Sequence, residues 1–216
     1  MSEFTVKPPR IPPMVTDLVQ TALSACDGIE FSDLAACPSC GGAVQGYDTR
    51  KKQFAVILEN EQERVIQVRV KRFYCPSCRG YSYADEPFYP DTRVGSPLID
   101  LCKTYAKTMP FSRTATHLFH LGIAIDRGSV RNYAHRDFGE IPTADIFNMQ
   151  LPFSIINLSS LATSTGEGGR IKGAEVLAAC GFPSAHRAAL CHPLMGEERE
   201  QRQEEKEKEK REPEYP

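Results

Sequence analysis

The chain contains the motif Cys37-Pro-Ser-Cys40-Gly-Gly and a second motif, Cys75-Pro-Ser-Cys78, with 34 residues between Cys40 and Cys75. Two apolar runs lie between the cysteine pairs, Gln53–Leu58 and Arg64–Tyr74, and the polar segment Glu59–Glu63 separates them. Along the second run apolar and polar residues alternate, which is typical of a half-exposed strand. The pattern predicts a β-hairpin with a cysteine knuckle at each end.

Two Cys-x-x-Cys pairs supply four thiolates, which suits the tetrahedral preference of Zn²⁺. The predicted ligands are Cys37, Cys40, Cys75 and Cys78. Four protein ligands leave no open position, so we expect one structural zinc ion. We also expect Gly41 and Gly80 to ease the tight turns of the knuckles. A rubredoxin-like iron site is a rival interpretation, because the same knuckles suit Fe(Cys)4; reduced, unligated cysteines are a second.

From Ser96 onward the apolar residues change to helical spacing. Ser96, Ser112 and Asp126 are predicted helix N-caps, and Pro110 and Gly122 are predicted helix ends. A helix, a short turn around a glycine and a second helix with polar exposed positions is the layout of helix-turn-helix DNA binding. A plain three-helix bundle gives the same pattern, so both interpretations stay open.

Basic residues accumulate in this helical region. The stretch 93–136 holds seven Lys or Arg against two Asp, an excess typical of phosphate-binding surfaces. Arginine and asparagine are also the side chains that pair with guanine and adenine edges. The predicted DNA-contacting residues are Lys103, Lys107, Arg113, Arg127, Ser129, Arg131, Asn132 and Arg136.

Several motifs follow one another in a particular order. They are the two knuckles flanking a hairpin, then Ser96–Ala106, Met109–Arg113, Leu121-Gly-Ile123 and Val130-Arg-Asn-Tyr133. This order resembles the N-terminal half of a group of bacterial insertion-element transposases, over roughly residues 37–138. The resemblance implies a zinc ribbon and a helix-turn-helix region that bind double-stranded DNA at element ends. In that family these regions precede a DDE catalytic domain.

The catalytic part of that family is not recognisable in this chain. DDE chemistry needs three carboxylates on one sheet to hold two metal ions, and the family's Asp-Glu-Thr motif is absent. The remaining acidic candidates lie on no strand series that we identify: Asp137, Glu140, Asp145, Glu167 and Glu175. We therefore expect a truncated or accessory transposase-like protein without its own strand-transfer activity, acting as a dimer or with a catalytic transposase.

The predicted fold class is α+β, a two-stranded zinc ribbon followed by a helical module. The predicted units are 1–31 (arm and short helix), 32–92 (ribbon), 93–138 (helix-turn-helix-like module), 139–196 (linker and short helices) and 197–216 (charged tail). The segment 157–170 is rich in Ser, Thr and Gly and predicts a linker, with short helices at 174–180 and 184–190. The tail holds nine Glu against six Lys or Arg, which predicts disorder.

Composition indicates the cellular compartment, and two function classes besides DNA binding stay open. No stretch approaches the roughly 18 apolar residues of a membrane span, and the N-terminus lacks the apolar segment of a signal peptide. We therefore expect a cytoplasmic protein with reduced thiols. The leading prediction is a zinc-dependent DNA-binding protein. The alternatives are a zinc-ribbon protein-interaction module and a rubredoxin-like electron carrier.

Overall fold

The computed structural model describes residues 11–60, 62–165 and 170–182. Within these ranges the fold is mixed α and β, with six helices and two sheets, which confirms the predicted α+β class. The helices are α1 (Pro13–Ser24), α2 (Ser96–Ala106), α3 (Phe111–His120), α4 (Arg127–Ala134), α5 (Phe153–Ser164) and α6 (Gly173–Ala179). The strands are β1 (Glu30–Phe31), β2 (Gln45–Glu59), β3 (Gln62–Tyr74), β4 (Tyr81–Tyr83), β5 (Thr143–Ile146) and β6 (Met149–Pro152). The predicted helix at 184–190 and the charged tail lie outside the described residues.

The predicted hairpin is present as β2 and β3, but it belongs to a larger sheet. Strand β1 pairs with β3 in parallel, and β4 pairs with β3 in the antiparallel sense, giving four strands. The extra strands contain only two and three residues, too few to show a periodic pattern in the sequence. The register of β2 against β3 shifts between Gly46 and Asp48 and again between Gln53 and Ala55. Each shift leaves one residue of β2 without a cross-strand partner.

The three predicted helices α2, α3 and α4 are present, and each packs against the other two. Asp126 is the N-cap of α4 as predicted, because its side chain accepts the Ser129 N–H at 2.9 Å. The other two predicted caps are wrong. Helix α2 begins at Ser96 and helix α3 at Phe111, so Gly95 and Pro110 occupy the N-cap positions and neither end has a side-chain cap.

The hairpin and the three helices share one core. Ile57 of β2 forms a β-bridge with Ile123 in the turn between α3 and α4. On either side of it the Leu58 N–H donates to the Gly122 carbonyl (2.8 Å) and the Ala124 N–H donates to Val56 (2.9 Å). One cluster of buried side chains runs from α1 through the sheet to α6. The turn before α4 is therefore fastened to the half of the hairpin that lies away from the cysteines.

Residues 139–165 contain more regular secondary structure than their composition indicates. Strands β5 and β6 form a hairpin whose turn residues, Phe147 and Asn148, both have positive φ. The linker prediction is wrong for its first half, because α5 ends at Ser164 and packs against α1. Ile155 and Leu158 are buried there, so tertiary packing outweighs the weak helix preference of the Ser- and Thr-rich sequence. Helix α6 confirms the short helix predicted at 174–180 to within a residue.

Candidate metal centre and nucleic-acid surfaces

The four motif cysteines come together at the end of the hairpin opposite its turn. Their Sγ atoms all lie within 4.8 Å of one another. Those of Cys37 and Cys78 are 3.6 Å apart, and those of Cys40 and Cys75 are 3.5 Å apart. Four sulfurs around one tetrahedral zinc, each at 2.3 Å, would be about 3.8 Å apart. The cluster is therefore positioned to hold one metal ion.

Each knuckle is closed by its own backbone. The Cys37 N–H donates to the Gly42 carbonyl, and the Cys75 N–H donates to the Gly80 carbonyl, both at 2.9 Å. The first cysteine of each pair is buried and the second is exposed. A Cβ on Gly42 would come within 2.9 Å of the Ser77 hydroxyl in the other knuckle, so the two loops approach each other closely.

Backbone N–H groups also point at the sulfurs. Donation from Ser39 and Cys40 lowers the pKa of Cys37 to about 6. The Gly42 N–H donates to the sulfur of Cys40, yet the sulfurs around it, that of Cys75 foremost, raise the pKa of that thiol to about 12. Neighbouring thiolates repel each other, so ionisation of all four requires a cation among them. N–H donation to sulfur and mutual repulsion together favour a bound metal cation.

The turns of the two knuckles differ at one position. Gly41 follows the first pair with φ +71°, and Arg79 follows the second with φ +58°. Gly80, one position later, does not have the left-handed conformation. Its lack of a side chain serves another purpose, because a Cβ there would lie 3.3 Å from the Cys78 sulfur.

The other cysteines lie away from this cluster. Cys26 and Cys102 are fully buried in the core, and burial raises the pKa of both thiols, that of Cys26 to about 12. Cys180 follows α6, and burial likewise raises its pKa. Cys191 lies outside the described residues. Within the described ranges, the motif cluster is the one group of three or more Cys, His, Asp or Glu side chains close enough to share a metal ion.

Helix α4 presents a polar face to solvent. Arg127, Arg131 and Asn132 are exposed, while Val130 and Tyr133 are buried against the neighbouring helices. The side chains of both arginines form no ion pair and no hydrogen bond with any residue in the described ranges. Residues 127 and 131 are one helical turn apart, so the two guanidinium groups share a face.

The remaining predicted DNA contacts have different surroundings. The Ser129 hydroxyl donates to Asp126 at 2.6 Å and so serves the helix cap. The Lys103 ammonium donates to the Arg136 carbonyl, and the Arg136 guanidinium donates to the carbonyls of Pro90 and Asp91 at 2.7 and 2.9 Å. These side chains tie the helices to the preceding loop. Lys107 and Arg113 are exposed at the end of α2 and the start of α3.

A second surface, which the sequence analysis did not single out, lies beside the cysteines. Tyr47 and Tyr81 are 58% and 55% exposed, and their ring centroids are 4.9 Å apart. The Arg72 guanidinium lies 5.4 and 5.7 Å from the two ring centroids. The sequence signal that could have identified this surface is Tyr47 followed by the basic run Arg50-Lys-Lys52.

Comparisons with protein-family models, with curated proteins and with solved structures gave no match. Among the helices of the described residues, none combines the length and the apolar character needed to cross a membrane.

Proposed function

We propose that this chain is a DNA-binding protein in which the four-cysteine cluster holds one structural Zn²⁺ and helix α4 contacts double-stranded DNA. Residues 32–92 form a zinc ribbon in this proposal, and residues 93–138 form a helix-turn-helix module. The observation that carries it is the outer face of α4, where Arg127, Arg131 and Asn132 are exposed and uncommitted beside a rigidly held turn. Arginine and asparagine on such a helix suit base edges in the major groove.

The surroundings of the other basic residues refine the predicted contact set. Arg127, Arg131 and Asn132 are proposed as base-edge contacts, and Lys107 and Arg113 as phosphate contacts. Lys103 and Arg136 support the docking of the helices through backbone carbonyls. The resemblance to insertion-element transposases adds element-end DNA as the proposed duplex.

The closed four-thiolate set suits a structural zinc ion, which we propose here, but it also suits an Fe(Cys)4 centre. Metal analysis of purified protein tests this choice directly: we expect about one zinc per chain and a colourless protein. A red, redox-active protein would establish the rubredoxin-like alternative. The substitution Cys75→Ser should remove the metal, and Cys102→Ser, at a buried core thiol, should retain it.

Duplex binding is tested by fluorescence anisotropy with a mixed-sequence duplex across a salt series. Affinity should fall steeply with salt, and Lys107→Ala, at a proposed phosphate contact, should reduce the slope of log K against log salt by about 1. Arg131→Ala, at a proposed base-edge contact, should weaken binding and relax its sequence preference. Arg170→Ala is the matched control, because this exposed arginine precedes α6 and belongs to neither proposed surface. A zinc protein that shows no salt-dependent retention of DNA would instead support the protein-interaction alternative.

A further inference from the structure

The exposed tyrosines beside the metal cluster form a defined surface, which we call the stacking face: Tyr47, Arg50, Lys52, Arg72, Tyr81 and Tyr83. Tyr47 meets Tyr81 edge-on, with the ring planes at 62°. Tyr74 lies behind Tyr81 at a centroid distance of 5.3 Å. Exposed rings of this size contribute little to the core, so their clustering on one surface points to a binding role.

The stacking face is held rigid by the strand pairing beneath it. The Arg72 guanidinium donates twice to the Asp48 carboxylate, both at 2.6 Å, and the Arg72 hydrogen bond holds the pKa of Asp48 below its usual value. The register shift between Gly46 and Asp48 leaves Tyr47 without a cross-strand partner, and its ring turns toward Tyr81. The rings are therefore positioned before any ligand binds, which lowers the entropic cost of binding.

Positive charge surrounds these rings. Arg50 and Arg72 share the single carboxylate of Asp48, and the Lys52 ammonium lies 3.7 Å from the Tyr83 ring centroid while it pairs with Glu86. By the strand register, Lys51, Arg69 and Lys71 belong to the opposite face of the sheet, whereas Arg79 is exposed on the adjacent knuckle. Of these, Arg69 pairs with Glu30. On the stacking face itself three cations, Arg50, Lys52 and Arg72, meet two carboxylates, Asp48 and Glu86, so the surface keeps a net positive charge that suits phosphate groups.

We propose that the stacking face binds single-stranded nucleic acid, with bases stacked on Tyr47 and Tyr81 and phosphates held by the surrounding Lys and Arg side chains. Sequence-tolerant recognition of single strands combines exposed aromatic rings with a basic track. A duplex does not offer its base faces for such stacking, so the ligand must be unpaired. This site is separate from the proposed duplex contact through α4, and neither depends on the other.

The probe for this proposal is a labelled oligo(dT) of about 15 nucleotides, the length of a single-strand site. The double variant Tyr47→Ala with Tyr81→Ala should bind it about tenfold or more weakly, since each ring loses a stacked base. The double variant with Phe at both positions keeps the rings and should retain affinity. Phe147→Ala is the control, because this ring is similarly exposed (53%) on the other sheet.

A second readout comes from the protein itself. The chain has no tryptophan, so quenching of tyrosine emission by oligo(dT) reports stacking on Tyr47 and Tyr81. This quenching should be lost in both double variants, although the Phe variant keeps its affinity. Metal content equal to that of the parent protein shows that the knuckles of each variant are intact. Absence of oligo(dT) binding by the parent protein at low salt, or equal affinity of the Ala variant, overturns the proposal. Ring-dependent self-association without oligo(dT) binding also overturns it and makes the face a contact between copies.

The two proposals can fail separately. Arg131→Ala should weaken duplex binding and leave oligo(dT) binding unchanged, while the tyrosine variants should do the reverse. Loss of both activities in either variant would show that the surfaces are not independent.

Discussion

The junction between the hairpin and the helices can be tested at Gly95. This residue has ordinary extended geometry, φ −61° and ψ 149°, at the N-cap of α2. A Cβ built on it would lie 2.3, 2.4 and 2.8 Å from three atoms of the Phe54 ring. Comfortable carbon contacts are about 3.5 Å or longer, so Gly95→Ala requires a displacement of about 1 Å.

The displacement has little room. Phe54 is fully buried, its ring meets that of Phe88 edge-on at 6.0 Å, and its carbonyl accepts the Gly95 N–H at 2.8 Å. Overpacking of this kind costs about 1–3 kcal/mol, and loss of the favourable N-cap glycine adds a smaller amount. We therefore expect the free energy of unfolding, measured in urea with metal present, to fall by about 2 kcal/mol.

A double-mutant cycle separates the steric effect from the cap effect. Phe54→Leu leaves a cavity by itself, but it also makes space for the new methyl group. The double variant should be less destabilised than the sum of the single variants by about 1 kcal/mol or more. Additive effects would refute the reasoning, because they would mean that the two residues do not touch.

Three other changes test single contacts. Asp126→Ala should lower the free energy of unfolding by about 1 kcal/mol, because it removes the cap of α4. The Ser129 hydroxyl lowers the pKa of Asp126, so this deficit should be complete above pH 4 and shrink as pH falls below it. Urea unfolding across pH measures the effect. Burial raises the pKa of Asp100, so ionisation of this carboxyl group opposes folding as pH rises. Asp100→Asn should therefore gain stability relative to the parent protein between acid and neutral pH. A difference in the free energy of unfolding that stays constant with pH would contradict this assignment. Arg79→Gly should raise the melting temperature slightly, since the left-handed backbone costs arginine about 1 kcal/mol more than glycine; Gly41→Ala should lower it by a similar amount.

Where the sequence carries a period or a paired motif, the structure follows it. The alternation in β3, the two Cys-x-x-Cys pairs and the capping residue Asp126 each rest on neighbouring residues, so their local structure was predictable. Strand β4 forms because its three residues pair with Arg72–Tyr74 across the knuckle, and α5 forms because Ile155 packs in a core built by distant segments. Neither signal lies within a short window of sequence.

The candidate sites divide in the same way. The clustering of the four cysteines was predictable because each Cys-x-x-Cys pair is local and the hairpin that joins the pairs is periodic. The stacking face was not, since it depends on a register shift near Asp48 and on the short strand that brings Tyr81 beside Tyr47. Lys103 and Arg136 were predicted to contact DNA on the same grounds as Arg131, because composition does not distinguish the three residues. Their side chains instead donate to backbone carbonyls of packed segments.

The position of the metal cluster determines which activity should respond to its removal. Helix α4 lines the same cleft as Gln53 and Val56, and Gln53 is eight residues along β2 from Gln45 at the knuckle end, or about 25 Å at 3.3 Å per residue. That distance exceeds the Debye length of about 8 Å at physiological salt, so a metal held by the four cysteines would not act on α4 electrostatically. Tyr81, in contrast, is three residues from the ligand Cys78. Chelation should therefore abolish oligo(dT) binding. Duplex binding through α4 should persist, because the turn before α4 is fastened to the far half of the hairpin. Loss of both activities together would show that the metal stabilises the whole shared core.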